Sequence, residues 1–446
     1  MLLPIIAYLM LLLGIGIYYS RIRSLDEFII AGKNLGFYVL VTSIAATFYG
    51  AAAVLGGAEL AYYFGLGALW FMVPFYIGNL LVIPFLDKIE KSGAKTLPDF
   101  LGKYYDSRIV VLSSLLLVVL CLVPSEILAI GKIMNVLMPY STEGWMIAIT
   151  AVVILYTLLG GMRSVAHSDM IQFTIMALSF AILLPYALKY SPDFLSNVPG
   201  ENLDPLAYFR MLPQDAIRWT ILLLFLPITS SPLYMRFFAS LKKVDRKKAL
   251  AGTVMIYFAI DMILLSSGMI AYANSEKLGI TEENADISLL ILGLNALPKG
   301  LTAVFIVGLL AVMMSTADSW LHAGASSLAY DILKRRQANS ESSLIMASRL
   351  FIIVLGVGSL LIALYFFDII EALSALLTVW ISGVLVPTMA ALLSVRMSSR
   401  AAALSMILGT SASVLWTVTP IMPVDPLFVG IFFSLAGALL GRKQRI

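Results

Sequence analysis

Apolar residues in this chain come in blocks of about 17–25 with few charges, the length that crosses a hydrocarbon core roughly 30 Å thick. Thirteen apolar blocks, four of them longer than this, follow one another, near 3–20, 37–63, 66–86, 108–138, 143–160, 168–188, 217–240, 249–273, 300–333, 345–366, 369–395, 402–419 and 425–441. A bilayer interior has no water to satisfy bare peptide groups, so blocks of this kind fold as helices packed side by side. The fold class expected is therefore an all-α integral membrane protein. Only 13% of the 446 residues are charged and 60% are hydrophobic, against about 25% charged in an ordinary soluble domain. Those values exclude a nucleic-acid binder and most soluble enzymes. The first block lacks the basic n-region and small-residue cleavage site of a secretory signal, and is counted as a span. Cys121 lies inside an apolar block, so neither a disulfide framework nor a thiolate metal site is expected. His167 and His322 do not make a zinc site by themselves.

Basic residues alternate between loops. One set of loops holds Arg21, Arg23 and Lys33; Lys88, Lys91, Lys95, Lys103 and Arg108; Arg163; Lys242, Lys243, Arg246, Lys247 and Lys248; Lys334, Arg335 and Arg336; Arg396 and Arg400; and Arg442, Lys443 and Arg445. The other set has little beyond Lys189, Arg210, Arg218, Lys277 and Lys299. By the positive-inside rule the amino terminus lies outside and the carboxyl terminus in the cytoplasm of a plasma-membrane protein. The polar stretches 190–216, 274–299 and 96–104 read as loops carrying short amphipathic helices. No linker separates soluble domains, so function must reside in the bundle.

Two spans carry helix-breaking sequences. The second contains Thr47-Phe48-Tyr49-Gly50 and then Gly56-Gly57; the seventh contains Leu226-Pro227-Ile228-Thr229-Ser230-Ser231-Pro232. In a membrane, backbone is freed only where protein or a water-filled cavity satisfies it. The two interruptions stand five spans apart, the spacing of two inverted five-helix repeats that each begin with a discontinuous helix. On the ninth span Val312, Ser315, Thr316 and Ser319 fall at i, i+3, i+4 and i+7, and so on one helical face. Hydroxyls facing a broken helix supply the oxygens a hard cation requires. Taken alone, such residues also serve in helix packing.

The segment Gly160-Gly161-Met162-Arg163-Ser164-Val165-Ala166-His167-Ser168-Asp169-Met170-Ile171-Gln172 resembles the signature of the sodium:solute symporter family, in which a Gly-Gly turn precedes an Asp and then a Gln. Asp26-Glu27-Phe28 with Ala31-Gly32-Lys33 resembles the family's first cytoplasmic loop, and Thr96-Leu97-Pro98-Asp99-Phe100-Leu101 its second. Ser315-Thr316, with Tyr330-Asp331-Ile332 downstream, is similar to its eighth core helix. The resemblance covers nearly the whole chain. It implies a LeuT-type fold, alternating access and solute uptake driven by Na+. The implied organisation of the single transporter domain, residues 1–446, is an extra helix and loop (1–36), a first inverted repeat (37–188), a second (217–395) and two C-terminal helices (402–441). It implies a shared sodium site at Ala45, Phe48 and Val312, through their carbonyls, and at Ser315 and Thr316, through their hydroxyls. A second cation, held by some members, would fall on Asp169, Ser315, Asp318 and Ser319. Asp318 departs from the pattern, which has a neutral residue there; an acid would strengthen cation binding or make a proton site.

An acid inside a span costs at least about 2.5–3.5 kcal/mol by insertion scales and marks function by default. Asp318, Glu126 and Asp261 qualify. Lys132 is six residues from Glu126, on a roughly opposite face, so the two are not expected to pair. Glu126 is assigned to the solute and Asp318 to the ion. The solute is expected at mid-membrane, against Tyr49, Gly50, Ala51 and Ala52 beyond the first break. Thr229, Ser230 and Ser231 at the second break, and Ser374, Thr378 and Trp380 on the eleventh span, are further candidates. The resemblance places Ala51 and Ala52 where sugar-transporting members carry polar side chains, which implies that a sugar fits poorly. No arginine is expected deep in a span to clamp a carboxylate. An amino acid or similar zwitterion such as proline fits best, then an organic cation. The alternatives are a proton-coupled carrier of an organic cation or carboxylate on the same fold, and a membrane sensor or channel, which would need a separate signalling partner. No arrangement of nucleophile, base and oxyanion donor points to an enzyme.

Overall fold

The computed structural model describes residues 2–22, 24–138, 140–334 and 340–441. Arg23, Arg335, Arg336, Arg442, Lys443 and Arg445, used above to orient the chain, lie outside the described residues. The longer helices are α1 (Leu2–Tyr18), α2 (Phe37–Phe48), α3 (Gly57–Phe64), α4 (Leu69–Val82), α5 (Ser107–Leu120), α6 (Pro124–Leu137) and α7 (Thr142–Tyr190). There follow α8 (Pro213–Thr229), α9 (Ser231–Ala239), α10 (Arg246–Ala273), α11 (Lys299–Ser327), α12 (Glu341–Ala363), α13 (Ile369–Leu392), α14 (Ser399–Val418) and α15 (Pro426–Leu440). No strand occurs among the described residues, only an isolated bridge between Leu35 and Ser240. Among the described residues, nine helical stretches are long and apolar enough to cross a membrane, and Leu2–Tyr18, Phe37–Phe48, Ala285–Ala296 and Pro426–Leu440 are shorter apolar helices.

Polar caps mark where the helices start. Ser141 accepts from the Gly144 amide, Asp245 from Lys247 and Lys248, and Asp368 from Glu371. Each satisfies an amide that a helix start leaves without an intrahelical partner. Which helices are central follows from their burial. The most apolar window of Lys299–Leu333 is 78% buried, whereas those of Glu341–Ala363 and Ser399–Val418 are 33% buried. Every residue of α11 from Phe305 to Ser327 is buried, which makes it the axis of the bundle. Met255, Phe258, Leu361, Leu415 and Phe432 lie exposed on the periphery, where lipid would cover them.

At 1.5 Å per residue, the helix α7 is more than twice as long as a hydrocarbon core is thick. It is broken at Gly161, whose φ of 56° and ψ of −165° lie in a region almost reserved for glycine. A Cβ there would stand 3.0 Å from the Cα and O of Phe28. The sequence reading separates two spans at this turn. We expect Gly161→Ala to lower stability by roughly 1–3 kcal/mol, read as a falling thermal unfolding midpoint. Gly14, with nothing within 4 Å of its added Cβ, is the control position, and equal midpoints for the two alanine variants would contradict the assignment.

Both anticipated interruptions are present. Between α2 and the π-helical turn Ala52–Gly56, Tyr49 has φ −90° and ψ 78°. Between α8 and α9, Ser230 is extended and its hydroxyl accepts from the Leu233 amide. The two broken helices are tied at one end, where the Leu35 amide donates to Ala239 O and the Leu241 amide to Leu35 O. A further break, not anticipated, divides the block 108–138 at Cys121–Val123. Pro124 has no amide to continue the ladder of α5, and Ser359 Oγ accepts the Val123 amide instead, at 3.0 Å.

Candidate functional site

The end of α2 meets the hydroxyl face of α11. Thr316 Oγ1 donates to Ala46 O at 3.0 Å, and Ser315 Oγ lies 3.4 Å from the same oxygen and 2.9 Å from Val312 O. Trp320 Nε1 donates to Thr47 O at 3.0 Å. A helix C-terminus carries partial negative charge and carbonyls without intrahelical donors. Two hydroxyls therefore meet one of the last carbonyls of α2, that of Ala46, at a buried point, and oxygens of this kind suit a small hard cation. Of the residues expected here, Ser315 and Thr316 meet the end of α2, Val312 O accepts from Ser315 one turn along α11, and Ala45 lies in the last turn of α2, its carbonyl accepting from the Tyr49 amide at 3.2 Å. Phe48 ends the helix. Ala46 and Thr47, which the sequence reading passes over, supply the carbonyls bonded directly to α11.

On the other side of the break a cavity of about 80 Å³ is walled by Phe48, Tyr49, Gly50, Ala52, Glu126 and Thr316, with Phe71, Phe75, Asp261 and Trp320 around them. Glu126 sits in the first turn of α6 because of the unanticipated break, and its Oε2 accepts the Ala51 amide at 2.7 Å. Two helix beginnings, each with partial positive charge, thus face one carboxylate. Gly50 permits the approach: a Cβ on it would lie 2.4 Å from Glu126 Oε1 and 2.9 Å from Thr316 Cγ2. Asp261 accepts from the hydroxyls of both Tyr49 and Tyr76, and the Tyr49 ring stacks on Tyr257 at 4.9 Å. Phe48 packs against Phe75 at 5.4 Å and edge-on to Trp320 at 5.9 Å between ring centres. The cavity therefore combines two carboxylates with aromatic walls.

Other expected residues lie elsewhere. Ala51 is fully buried and contributes its amide to Glu126. Ser230 and Trp380 do not line this cavity: Ser230 caps α9, and Trp380 Nε1 donates to Thr229 Oγ1 at 3.1 Å. Ser231 Oγ accepts the Leu97 amide at 3.2 Å. Lys132 pairs with Asp286 rather than with Glu126, and donates to Phe367 O at 2.7 Å. His322 packs on Phe28, with Nε2 2.9 Å from its carbonyl. Two segments quoted for the family resemblance meet, Thr96 Oγ1 donating to both oxygens of Asp331 at 2.9 and 2.8 Å.

No arginine is expected deep in a span, yet one is buried inside the bundle. Arg236, on α9, is fully buried, and its guanidinium pairs with Asp169 at 2.9 Å. Arg236 Nη2 also donates to Ser319 Oγ at 2.6 Å, and Nε to Ser43 Oγ at 2.8 Å. Ser43 Oγ donates to Asp169 Oδ2 at 2.5 Å. Position 236 lies near the end of its hydropathy block, where a basic side chain ordinarily reaches the surface. The break at Ser230 is the available signal: it starts a new helix, and that helix is buried on all sides. Asp318 is also fully buried, and neither of its carboxylate oxygens has a hydrogen-bond partner among the described residues.

A bundle of apolar helices, two of them broken beside a buried oxygen cluster and a cavity, is the architecture of a membrane carrier of small solutes. The sodium:solute symporter family model matches residues 28–409. The chain belongs to this family, whose members are transporters and not enzymes. It is 28% identical over 385 residues to high-affinity choline transporter 1 of Drosophila melanogaster, covering 81% of this chain and 61% of the relative, so it spans less than two thirds of that protein's length. It is 27% identical over 376 residues to the high-affinity proline transporter PutP of Bacillus subtilis, covering 79% and 78% of the two chains. The structure of a Na+-coupled sialic acid symporter in a substrate-bound outward-open state superposes with a TM-score of 0.82 at 19% identity, over 98% of this chain and 96% of the other. The fold is shared with that LeuT-type symporter, and the family implies sodium as the coupling ion.

Proposed function

We propose that this chain couples the entry of Na+ to uptake of a small organic solute bearing an ammonium group, by alternating access in a plasma membrane that it crosses thirteen times, with its amino terminus outside. The observation that carries this reading is the position of Thr316. Its hydroxyl belongs to the oxygen cluster at the end of α2, while its side chain forms part of the cavity wall beside Gly50. A cation bound to that hydroxyl would order the wall of the solute cavity, so each ligand would favour the binding of the other.

The ammonium preference is supported by charge and shape. Glu126 already takes the Ala51 amide at the restarted helix, the place where a solute carboxylate would otherwise dock. What remains for the solute is anionic oxygen and aromatic faces, which suit an ammonium group. Proline and choline both present positively charged nitrogen, and relatives named for each are similar to this chain. A thermal-shift screen of amino acids, carboxylates and organic cations tests the reading. Stabilisation by proline or choline that requires sodium is the expected result. Stabilisation by simple carboxylates alone, or equally with potassium, would contradict it.

A further inference from the structure

Two of the four residues that the family resemblance marks for a second cation, Asp169 and Ser319, already hold a cation supplied by the chain itself. Asp169 from α7, Ser319 from α11 and Ser43 from α2 converge at a point with no exposed surface. Arg236 reaches this point from α9. Its Nη2 lies between Asp169 Oδ2 and Ser319 Oγ, at 2.9 and 2.6 Å, and its Nε bonds Ser43. Nη1 adds a bond to Pro232 O at 3.3 Å. A guanidinium stays charged in proteins and its planar fork matches a carboxylate. With that charge in contact with Asp169 Oδ2 and Ser319 Oγ, a free sodium ion at the same place would meet a like charge and find those two ligands taken; Asp318, the other carboxylate of the implied set, has no hydrogen-bond partner among the described residues. Ser315, the remaining hydroxyl of the implied set, faces Ala46 instead.

We propose that Arg236 is a tethered cation that stands in for a second transported ion, so that this chain carries a single sodium, at Ser315 and Thr316. The residue also bridges moving parts: it joins α9, the second half of one broken helix, to α2, the first half of the other, and to α7 and α11. In a symporter with two free cations, loss of the ion unties such a contact in each cycle. Here the cation is covalently attached to α9 and does not leave the protein.

This inference rests on the sodium-coupled reading, and direct binding of ²²Na⁺ to the purified protein separates the two. The wild type is expected to bind one sodium per protein. Arg236→Gln, which keeps hydrogen-bonding groups but removes the charge and shortens the side chain, is expected to double the sodium bound. Arg236→Lys is expected to bind as the wild type does. Two sodium ions in the wild type overturn the proposal, and so does an unchanged count in a folded Arg236→Gln. Binding of none by the wild type and one by Arg236→Gln supports the tethered cation and overturns the sodium-coupled reading; none by either overturns both. If Arg236→Gln does not fold, the wild-type count and that of Arg236→Lys decide, since two ions in either contradict the assignment.

Discussion

Glu126→Gln is expected to weaken solute affinity by about 10- to 150-fold while leaving the affinity for sodium near its wild-type value. The substitution keeps an oxygen for the Ala51 amide, bonded at 2.7 Å in the wild type, so the junction between α6 and the restarted helix is preserved. What it removes is the negative charge facing the cavity. A hydrogen bond to a charged partner contributes about 1.5–3 kcal/mol, and each 1.4 kcal/mol is a factor of ten in affinity. The half-saturating concentrations of proline and of choline, measured at saturating sodium, check this. Both rise if the ammonium is what Glu126 meets. A half-saturating concentration that stays unchanged for whichever solute is carried would remove Glu126 from the solute site.

The second large effect falls on sodium. Ser315→Ala and Thr316→Val each delete one hydroxyl from the cluster at Ala46, and each is expected to raise the sodium concentration for half-maximal uptake by roughly tenfold, the value of one lost polar contact of about 1.4 kcal/mol. Thr316→Val keeps the bulk that closes the cavity beside Gly50, so solute affinity at saturating sodium should change little. Thr316→Ser does the opposite: it keeps the hydroxyl and loses the methyl, and should disturb solute affinity more than sodium dependence. A sodium dependence indifferent to both hydroxyl deletions would sink the ion site, whatever happens to solute binding.

Much of this architecture is legible in the residues because membrane folding leaves few alternatives. The broken helices at Tyr49 and Ser230 follow from glycine, proline and hydroxyl residues inside blocks otherwise long enough to span, and the hydroxyl face of α11 follows from helical spacing. Gly161 is legible only through the Gly-Gly turn of the resembled signature; that a side chain there would meet Phe28 is seen in the structure alone. The break before Pro124 is harder to see because Cys121–Val123 is itself apolar, so hydropathy runs through it unbroken. Its consequence is large, since it brings Glu126 to the beginning of a helix and opposite Ala51. Arg236 is hidden by the same averaging. Its partner Asp169 stands 67 positions away in the chain, and no local pattern reports a contact made across four helices. Ser230 and Trp380 show the converse: polar or aromatic residues beside a break that cap a helix and bond a threonine rather than face the cavity.

Uptake by proteoliposomes under an imposed gradient tests the central claim most directly. Purified protein is reconstituted into vesicles, and accumulation of labelled proline and of labelled choline is followed under an inward sodium gradient, with a pH gradient of equal size as the comparison. The account predicts accumulation above equilibrium of one of the two driven by sodium, and none driven by the pH gradient alone. Accumulation that follows the pH gradient and ignores sodium would contradict it.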